Sequence, residues 1–313
     1  MINDTYTTSR LSAANISDLA KLHKAAYGKI LPTNFFVRKY ATAYTGAEYV
    51  GFIAYDQQLI AVAYYGVIPC FLVSNGKTIL AAQSADTMTH PDHRHKGLFI
   101  QLAVLTYKLC KSTGIKLVFG FPNQNSLPGF ISKLGWRNTE TMDCFIIPVK
   151  TLPFEKLSHK ARFLKKMYSR YTHFVLKKYK MPYNKISSSV FNENLEGVVR
   201  DRNYLRYKTY SSTCVINIGN VTFWIKISNN LMVGDITGLT NSNFEEAINQ
   251  LLSISRKLGI KQIQFQTSPA TQLHRLFDER YQAIPAFPII FKDLGAGIPN
   301  GKMKFTLADI DIF

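Results

Sequence analysis

The stretch HPDHRHKGLFIQLA, from His90 to Ala103, is where the reading of the fold turns. From Leu98 onward it has the apolar spacing of an amphipathic helix, and the QSADTMT ahead of it reads as a strand. Helix starts ordinarily favour acidic residues, yet Arg94, His95 and Lys96 stand here, followed by Gly97. A strand, a turn and a helix in that order point unpaired backbone N–H groups outward, where the helix dipole adds positive potential. Gly97 has no Cβ, so an anion can come close to the backbone. Together these features describe a diphosphate cradle; a solvated basic turn is the plain alternative. Neither the Walker A spacing nor a dinucleotide G-x-G-x-x-G is present.

Working outward, ISDLAKLHKAAYG predicts a helix with Asn15 or Ser17 as its cap. YVGFIAYDQQLIAVAYYGVIPCFLV reads as two strands around a turn at Asp56–Gln58, and Asn75-Gly76 turns the chain into the strand that reaches Thr89. The helix after the loop runs through Leu109 and is stopped by Gly114. IKLVFGF is a further strand, and GFISKLGW a short helix and turn. The order predicts an α/β lobe with mixed (α+β) sheets.

The chain has 313 residues, 46% of them hydrophobic, enough for one large or two modest domains. Its 38 Lys and Arg against 20 Asp and Glu give a formal charge of +18, which calls for anionic partners: nucleic acid, an acidic membrane surface or phosphorylated small molecules. Cys70, Cys110, Cys144 and Cys214 lie far apart, with no C-x-x-C pair and no histidine at metal-ligand spacing, so reduced thiols and no metal are expected. MINDTYTTSR has no signal-peptide h-region, and no apolar run reaches 18 residues, so the expectation is a cytoplasmic protein without a membrane span.

Between Lys156 and Lys180 the chain carries nine Lys or Arg and no Asp or Glu, interleaved with Tyr and Phe. This is a basic amphipathic helix, either a solvated connector or a face for an anionic surface. Beyond it the first half repeats faintly. Asp86 matches Asp235, and Gly114-Ile115-Lys116 matches Gly259-Ile260-Lys261. The interval from Asp to Gly is 28 residues in the first copy and 24 in the second, the difference falling in the basic loop. NSNFEE opens the second helix with ordinary acidic residues, so the second copy has lost its anion site. The expected organisation is an anion-binding lobe over 1–150, a basic connector over 151–186 and a degenerate copy over 187–313.

The loop T-H-P-D-H-R-H-K-G-L-F resembles the acyl-CoA loop of the GCN5-related N-acetyltransferases (GNAT), whose pattern is Gln/Arg-x-x-Gly-x-Gly/Ala after a strand. Arg94, Gly97 and the preceding Pro91 match in register. FPNQNS followed by GFISKLGW is similar to the family's later motif, about 30 residues on, where an Asn precedes a helix ending K-L-G-F or K-L-G-W. The resemblance implies two GNAT-like lobes in tandem, the second degenerate. It implies acyl-CoA held by Met88, Thr89, Arg94, His95, Lys96, Gly97, Leu98 and Phe99, with Asn123 and Ser126 at the pantetheine arm. Two positions depart from the pattern. Phe99 stands where a small residue is usual, and Ile131 where the family often has a tyrosine that protonates the departing thiolate. Tyr64, Tyr65 or a residue of the second lobe would then supply that proton. Asp86 and His90 are the candidates for the base that the attacking amine requires.

Tandem proteins of this kind include sugar N-acyltransferases of bacterial surface-polysaccharide pathways and FemX-type enzymes that take an aminoacyl group from tRNA. QSADTMTHPDHR, GFPNQNS, RDRNYLRYK and the closing FTLADIDIF are similar to the first group, above all to enzymes acylating dTDP-3-amino-3,6-dideoxyhexoses. The implied donor is acetyl-CoA or 3-hydroxybutyryl-CoA and the implied acceptor a nucleotide sugar for lipopolysaccharide O-antigen, with no stable nucleic acid partner. Tyr65, Arg206 and Tyr207 are expected at the acceptor, with Arg200 and Arg202 close by in sequence and an ion-pair role equally open to them. The alternatives are a tRNA-dependent transferase and a non-enzymatic nucleic-acid-binding protein. Both account for the charge, and the nucleic-acid module leaves Gly97 without a purpose.

Overall fold

The computed structural model describes residues 5–158 and 161–313, so His159 and Lys160 of the basic connector lie outside the described residues. The first half of the chain runs β1 (Thr7–Arg10), α1 (Ile16–Tyr27), α2 (Thr33–Tyr40), β2 (Val50–Tyr55), β3 (Ala61–Ser74), β4 (Lys77–Thr89), α3 (Leu98–Ser112), β5 (Leu117–Gly120) and β6 (Arg137–Pro148). Next come α4 (Phe154–Ser158), α5 (Arg162–Leu176), β7 (Lys180–Met181), α6 (Arg202–Tyr207), β8 (Thr213–Ile218) and β9 (Val221–Ser228). The chain then forms β10 (Asn230–Thr237), α7 (Phe244–Lys257), β11 (Gln262–Thr267), α8 (Gln272–Asp278) and β12 (Ile284–Asp293).

Two compact units form: Met1–Thr139 with Pro288–Gly301, and Glu140–Phe287 with Lys302–Phe313. The sequence placed its first boundary at 150, and the difference is an exchange. β6, next in sequence after the first unit, pairs with β11 over Asp143–Thr267 to Pro148–Gln262. The residues Ile290–Asp293 of β12 return to pair with β5. Each half thus lends a strand to the other, which periodicity along one segment cannot reveal.

In the first unit the strands lie in the order β1, β2, β3, β4, β5, β12, antiparallel except for β4 beside β5. Its core packs Leu98, Leu102 and Ala103 of α3 with Val50, Val67 and Val118. β3 is buried along Ala61–Cys70 without a break, which explains an apolar run with no polar alternation. The Asn75-Gly76 turn has φ of 51° and 71°, the left-handed pair a two-residue hairpin needs. Asn15 stands ahead of α1, but its side chain does not cap the helix; Oδ1 accepts from Ser12 N at 2.8 Å and holds the turn before it. The eight-residue α2, entered from Pro32, was not foreseen.

The second unit orders its strands β6, β11, β10, β9, β8, β7. β10, α7 and β11 repeat the path of β4, α3 and β5, and both strand pairs are parallel. α7 buries Phe244, Ala247, Ile248, Leu251 and Ile254 at helical spacing against Val233, Ile263 and Phe265. The fold is therefore the expected mixed α/β class in two lobes.

Candidate active site

The parallel ladder between β4 and β5 covers only Ala81–Gln83, paired with Leu117–Phe119. Past Gln83, β4 stays on β3 and leaves β5, so its edge opens toward Thr89. Within that open stretch Tyr64 pairs with Met88 and Gly66 with Ala85, placing Asp86 and Thr87 opposite the single residue Tyr65. This is a β-bulge, with Asp86 at φ 50°, a left-handed geometry that Asp tolerates better than most residues. Three side chains secure it. Lys39 Nζ lies 2.8 Å from Asp86 Oδ2, Tyr40 donates its hydroxyl to the same oxygen at 2.8 Å, and Tyr27 donates to the Thr87 carbonyl at 2.8 Å. Burial, with the Asp86 charge adding to it, pushes the Tyr40 hydroxyl well above the usual tyrosine range. Lys39, Tyr40 and Tyr27 were missed from sequence; their adjacency to Asp86 is created only when α1 and α2 pack on β4.

The loop that follows is built as the sequence anticipates. His90 N bonds the Val62 carbonyl at 2.8 Å, a short 3₁₀ turn covers Pro91–His93, and His95 and Gly97 both take left-handed φ of 62° and 76°. Gly97 occupies the N-cap position of α3 with no side-chain cap, and a Cβ built there would meet nothing within 4 Å. Arg94, His95 and Lys96 are exposed around that opening. The uncapped N–H groups and the basic rim fit a diphosphate. Lys96 Nζ sits 5.9 Å above the Tyr6 ring, whose hydroxyl bonds His93 Nδ1 at 2.9 Å.

The other expected residues sort by where they pack. Met88 and Leu98 are buried, so at these positions only the backbone can serve a ligand. Phe99 sends its ring inward, 5.8 Å from Tyr65 and 5.1 Å from Phe130. Gly129 makes room for it: a Cβ there would lie 2.9 Å from the Phe99 ring. The departure at Phe99 thus fills the core and leaves the mouth of the loop clear. This packing also draws the turn after β5 to the loop. In that turn Asn123 Oδ1 accepts from Asn125 N and Ser126 N, both at 3.0 Å, leaving the amide Nδ2 as a donor. Ile131, at the position of the usual tyrosine, is exposed.

Tyr64 and Tyr65 are corrections. Both are fully enclosed, because β3 is covered on both faces. Tyr65 belongs to a hydroxyl chain in which Ser84 Oγ donates to it at 3.1 Å, Tyr107 lies 3.2 Å away, and Trp136 Nε1 donates to Tyr107 at 2.8 Å. Burial holds its hydroxyl far above the usual range. At 0% exposure it presents no surface to a ligand. His90 is held by accepting from Asp92 N at Nδ1, 3.3 Å, which places the neutral ring's proton on Nε2.

Arg200 is structural. It donates to Asp309 Oδ1 at 2.8 Å, to Thr306 Oγ1 at 2.8 Å and to Asp235, all inside the second unit. Asp235 is the counterpart of Asp86 and also lies at a break in strand register, after Val233. Beyond that point β10 leaves β11, as β4 leaves β5, and the chain's own end occupies the opening. Thr306 bridges Thr267, Ser268 N bonds the Phe305 carbonyl at 2.9 Å, and the Phe313 ring lies over Gly234, where a Cβ would come within 2.3 Å. Ahead of α7, Asn243 Oδ1 accepts from Thr240 N at 2.8 Å and closes the turn on itself. Arg202 and Arg206 are exposed on α6 of this unit, with Tyr207 beside Tyr204 and Tyr210.

Residues 7–139 match an acetyltransferase (GNAT) domain, a span that includes the open edge of β4, the basic loop and the Asn123 turn. No curated protein matches the chain. Among solved structures, a conserved protein of unknown function from Enterococcus faecalis V583, described as a probable N-acyltransferase, aligns over 93% of this chain and 73% of its own, at 10% identity and a TM-score of 0.61. A GCN5-related N-acetyltransferase from Kribbella flavida aligns over 93% and 71%, at 13% identity and a TM-score of 0.57. Another from Anabaena variabilis ATCC 29413 aligns over 93% and 73%, at 11% and 0.56. These likenesses show a shared fold across both units. The domain match, with the loop it contains, makes the chain an acyl-CoA-dependent N-acyltransferase. No helix among the described residues is long and apolar enough to cross a membrane, and no cluster among them could hold a metal ion.

Proposed function

We propose that the acyl group passes to the amine of a nucleotide-linked aminosugar, a dTDP-3-amino-3,6-dideoxyhexose, in the cytoplasmic synthesis of a surface polysaccharide. The observation that carries the donor half is the open N-terminus of α3: Gly97 at left-handed φ, no side-chain cap, and Arg94, His95 and Lys96 around it. The acceptor half rests on the sequence resemblance and on the charge of +18, which suits a site where two pyrophosphates meet.

Acyl-CoA, when bound, supplies the activated thioester. In this reading the N–H groups at the start of α3 and the Arg94 guanidinium bind the diphosphate. The edge of β4 that β5 leaves unpaired offers backbone partners to the pantetheine arm, and Asn123 donates to it. Asp86, fixed by Lys39 and Tyr40, keeps the bulge and hence the strand end in place. His90, as a neutral imidazole, takes the proton that the attacking amine loses and, then an imidazolium, returns it to the sulfur as the thiolate leaves. The acyl unit is acetyl or 3-hydroxybutyryl.

The test is thiol release from acetyl-, butyryl- and 3-hydroxybutyryl-CoA, each with a panel of dTDP- and UDP-aminosugars. Release that requires both partners identifies them together. Release with simple amines and none with any nucleotide sugar rejects the acceptor while leaving the donor site standing.

A further inference from the structure

α5 carries a surface that acyl transfer does not use. Its 15 residues place Phe163, Leu164, Met167, Tyr171 and Phe174 on one side at helical spacing, and all five are exposed, Phe163 by 71% and Phe174 by 76%. The helix cannot turn this stripe inward, because its other side is already seated on its own unit. Tyr168 donates to the Leu258 carbonyl at 2.9 Å, Tyr171 donates from the margin of the stripe to the Lys257 carbonyl at 3.0 Å, and Leu176 is buried. Lys166, Arg170 and Lys177 fall along one border of the stripe, and Lys178 lies within its arc. No carboxylate occurs between Lys156 and Lys180 to neutralise them. The preceding α4 segment adds exposed Leu152, Phe154 and Leu157.

We propose that α5 docks the enzyme on the surface of an anionic phospholipid bilayer, its apolar stripe sunk at the acyl boundary and its basic border on the headgroups. At 15 residues the helix is about 22 Å long, too short to cross a hydrocarbon layer of about 30 Å, so it lies in the plane of the surface. The two halves of the surface select this partner together. A second copy of the chain would set the same lysines and arginine against each other in a two-fold contact, with no acidic residue on the segment to offset them. A nucleic acid would satisfy the cations and leave Phe163, Met167 and Phe174 in water. An anionic bilayer takes both. This inference stands apart from the identity of the sugar and of the acyl group.

The test is cosedimentation of the full chain with vesicles of phosphatidylcholine alone and of equimolar phosphatidylcholine and phosphatidylglycerol. Binding to the anionic vesicles, weak on the neutral ones and falling as salt rises, is the expected result. Met167→Glu with Phe174→Glu, and separately Lys166→Glu with Arg170→Glu, each lower the partition about tenfold or more. The charge-reversal pair leaves the apolar stripe and its packing untouched, so it decides the question if the first pair fails to fold. No binding to anionic vesicles, equal binding to neutral ones, or wild-type partition by the charge-reversal pair overturns the proposal. So does a dimer in solution that the Met167→Glu, Phe174→Glu pair dissociates.

Discussion

Lys39 Nζ lies 2.8 Å from Asp86 Oδ2, an ion pair that ties α2 to the bulge where β4 parts from β5. Lys39 is buried and the Asp86 side chain keeps 16% exposure, so the pair is screened only slightly. Lys39→Met, which strands the carboxylate, is expected to cost about 2–3 kcal/mol in denaturant unfolding. Lys39→Met with Asp86→Asn should cost less than Lys39→Met alone, because the stranded charge is gone. Equal losses would show that the pair contributes through packing alone.

Gly97→Glu should abolish acyl-CoA binding by placing a carboxylate where the diphosphate sits. The fold should survive, since a Cβ at Gly97 meets nothing within 4 Å, although a non-glycine residue at φ 76° costs about 1–2 kcal/mol. Gly97→Asn separates the two effects, because Asn accepts the left-handed geometry and brings no charge. Thermal shift with and without CoA reads both. Undiminished CoA binding by Gly97→Glu removes the loop from the donor site.

His90→Gln is expected to lower kcat about a hundredfold with acyl-CoA binding retained, the size of a lost general base. Tyr65→Phe is its counterpart. The hydroxyl is enclosed between Ser84 and Tyr107, so the change should cost about 1 kcal/mol of stability and leave kcat within about twofold. A large fall in kcat for Tyr65→Phe with unchanged stability would return the proton transfer to that residue.

Arg200→Leu leaves Asp235 and Asp309 buried without a counter-charge and is expected to cost at least about 3–5 kcal/mol, visible as loss of soluble expression or a large drop in Tm. Since the triad clasps the closing segment inside the second unit, limited proteolysis should cut near the C-terminus of this variant first.

Lys208 gives the stability a pH dependence of known sign. Its amine is buried, donates to the Ile310 carbonyl at 2.9 Å, and is pushed by burial down to about 7 from the ordinary 10.5. Above pH 7 the unfolded chain holds a proton that the native amine has lost, so stability climbs with pH, by about 1.4 kcal/mol per pH unit at most. Burial raises Cys110 to about 12 and Cys214 to about 11, and these oppose the climb above the ordinary thiol value of 9.0. Urea unfolding between pH 7 and 9.0 should therefore show a rising slope that Lys208→Met removes.

Much of the first unit was legible because its signals are local. Asn75-Gly76 names its own hairpin, and Arg94 to Gly97 names a helix start that no side chain caps. The pairing of Asp86 with Lys39 was not legible, since 47 residues separate them and α2 is a short helix without a strong signal. Tyr65 misled for a related reason. A tyrosine in an apolar strand reads the same whether its far face meets solvent or a second layer.

The sequence alone determined the donor chemistry, because a left-handed glycine, an uncapped helix start and three basic residues are contiguous and need no partner from elsewhere. It also led to the expectation that the second copy, opened by NSNFEE, lacks an anion site. Only the tertiary structure decided which strand completes which unit, that Arg200 serves Asp235 and Asp309, and that the chain's end fills the second opening. Those contacts join segments far apart in sequence: Arg200 lies 35 residues from Asp235 and 109 from Asp309. Their energy comes from burial and charge pairing between surfaces that exist only once both segments have folded.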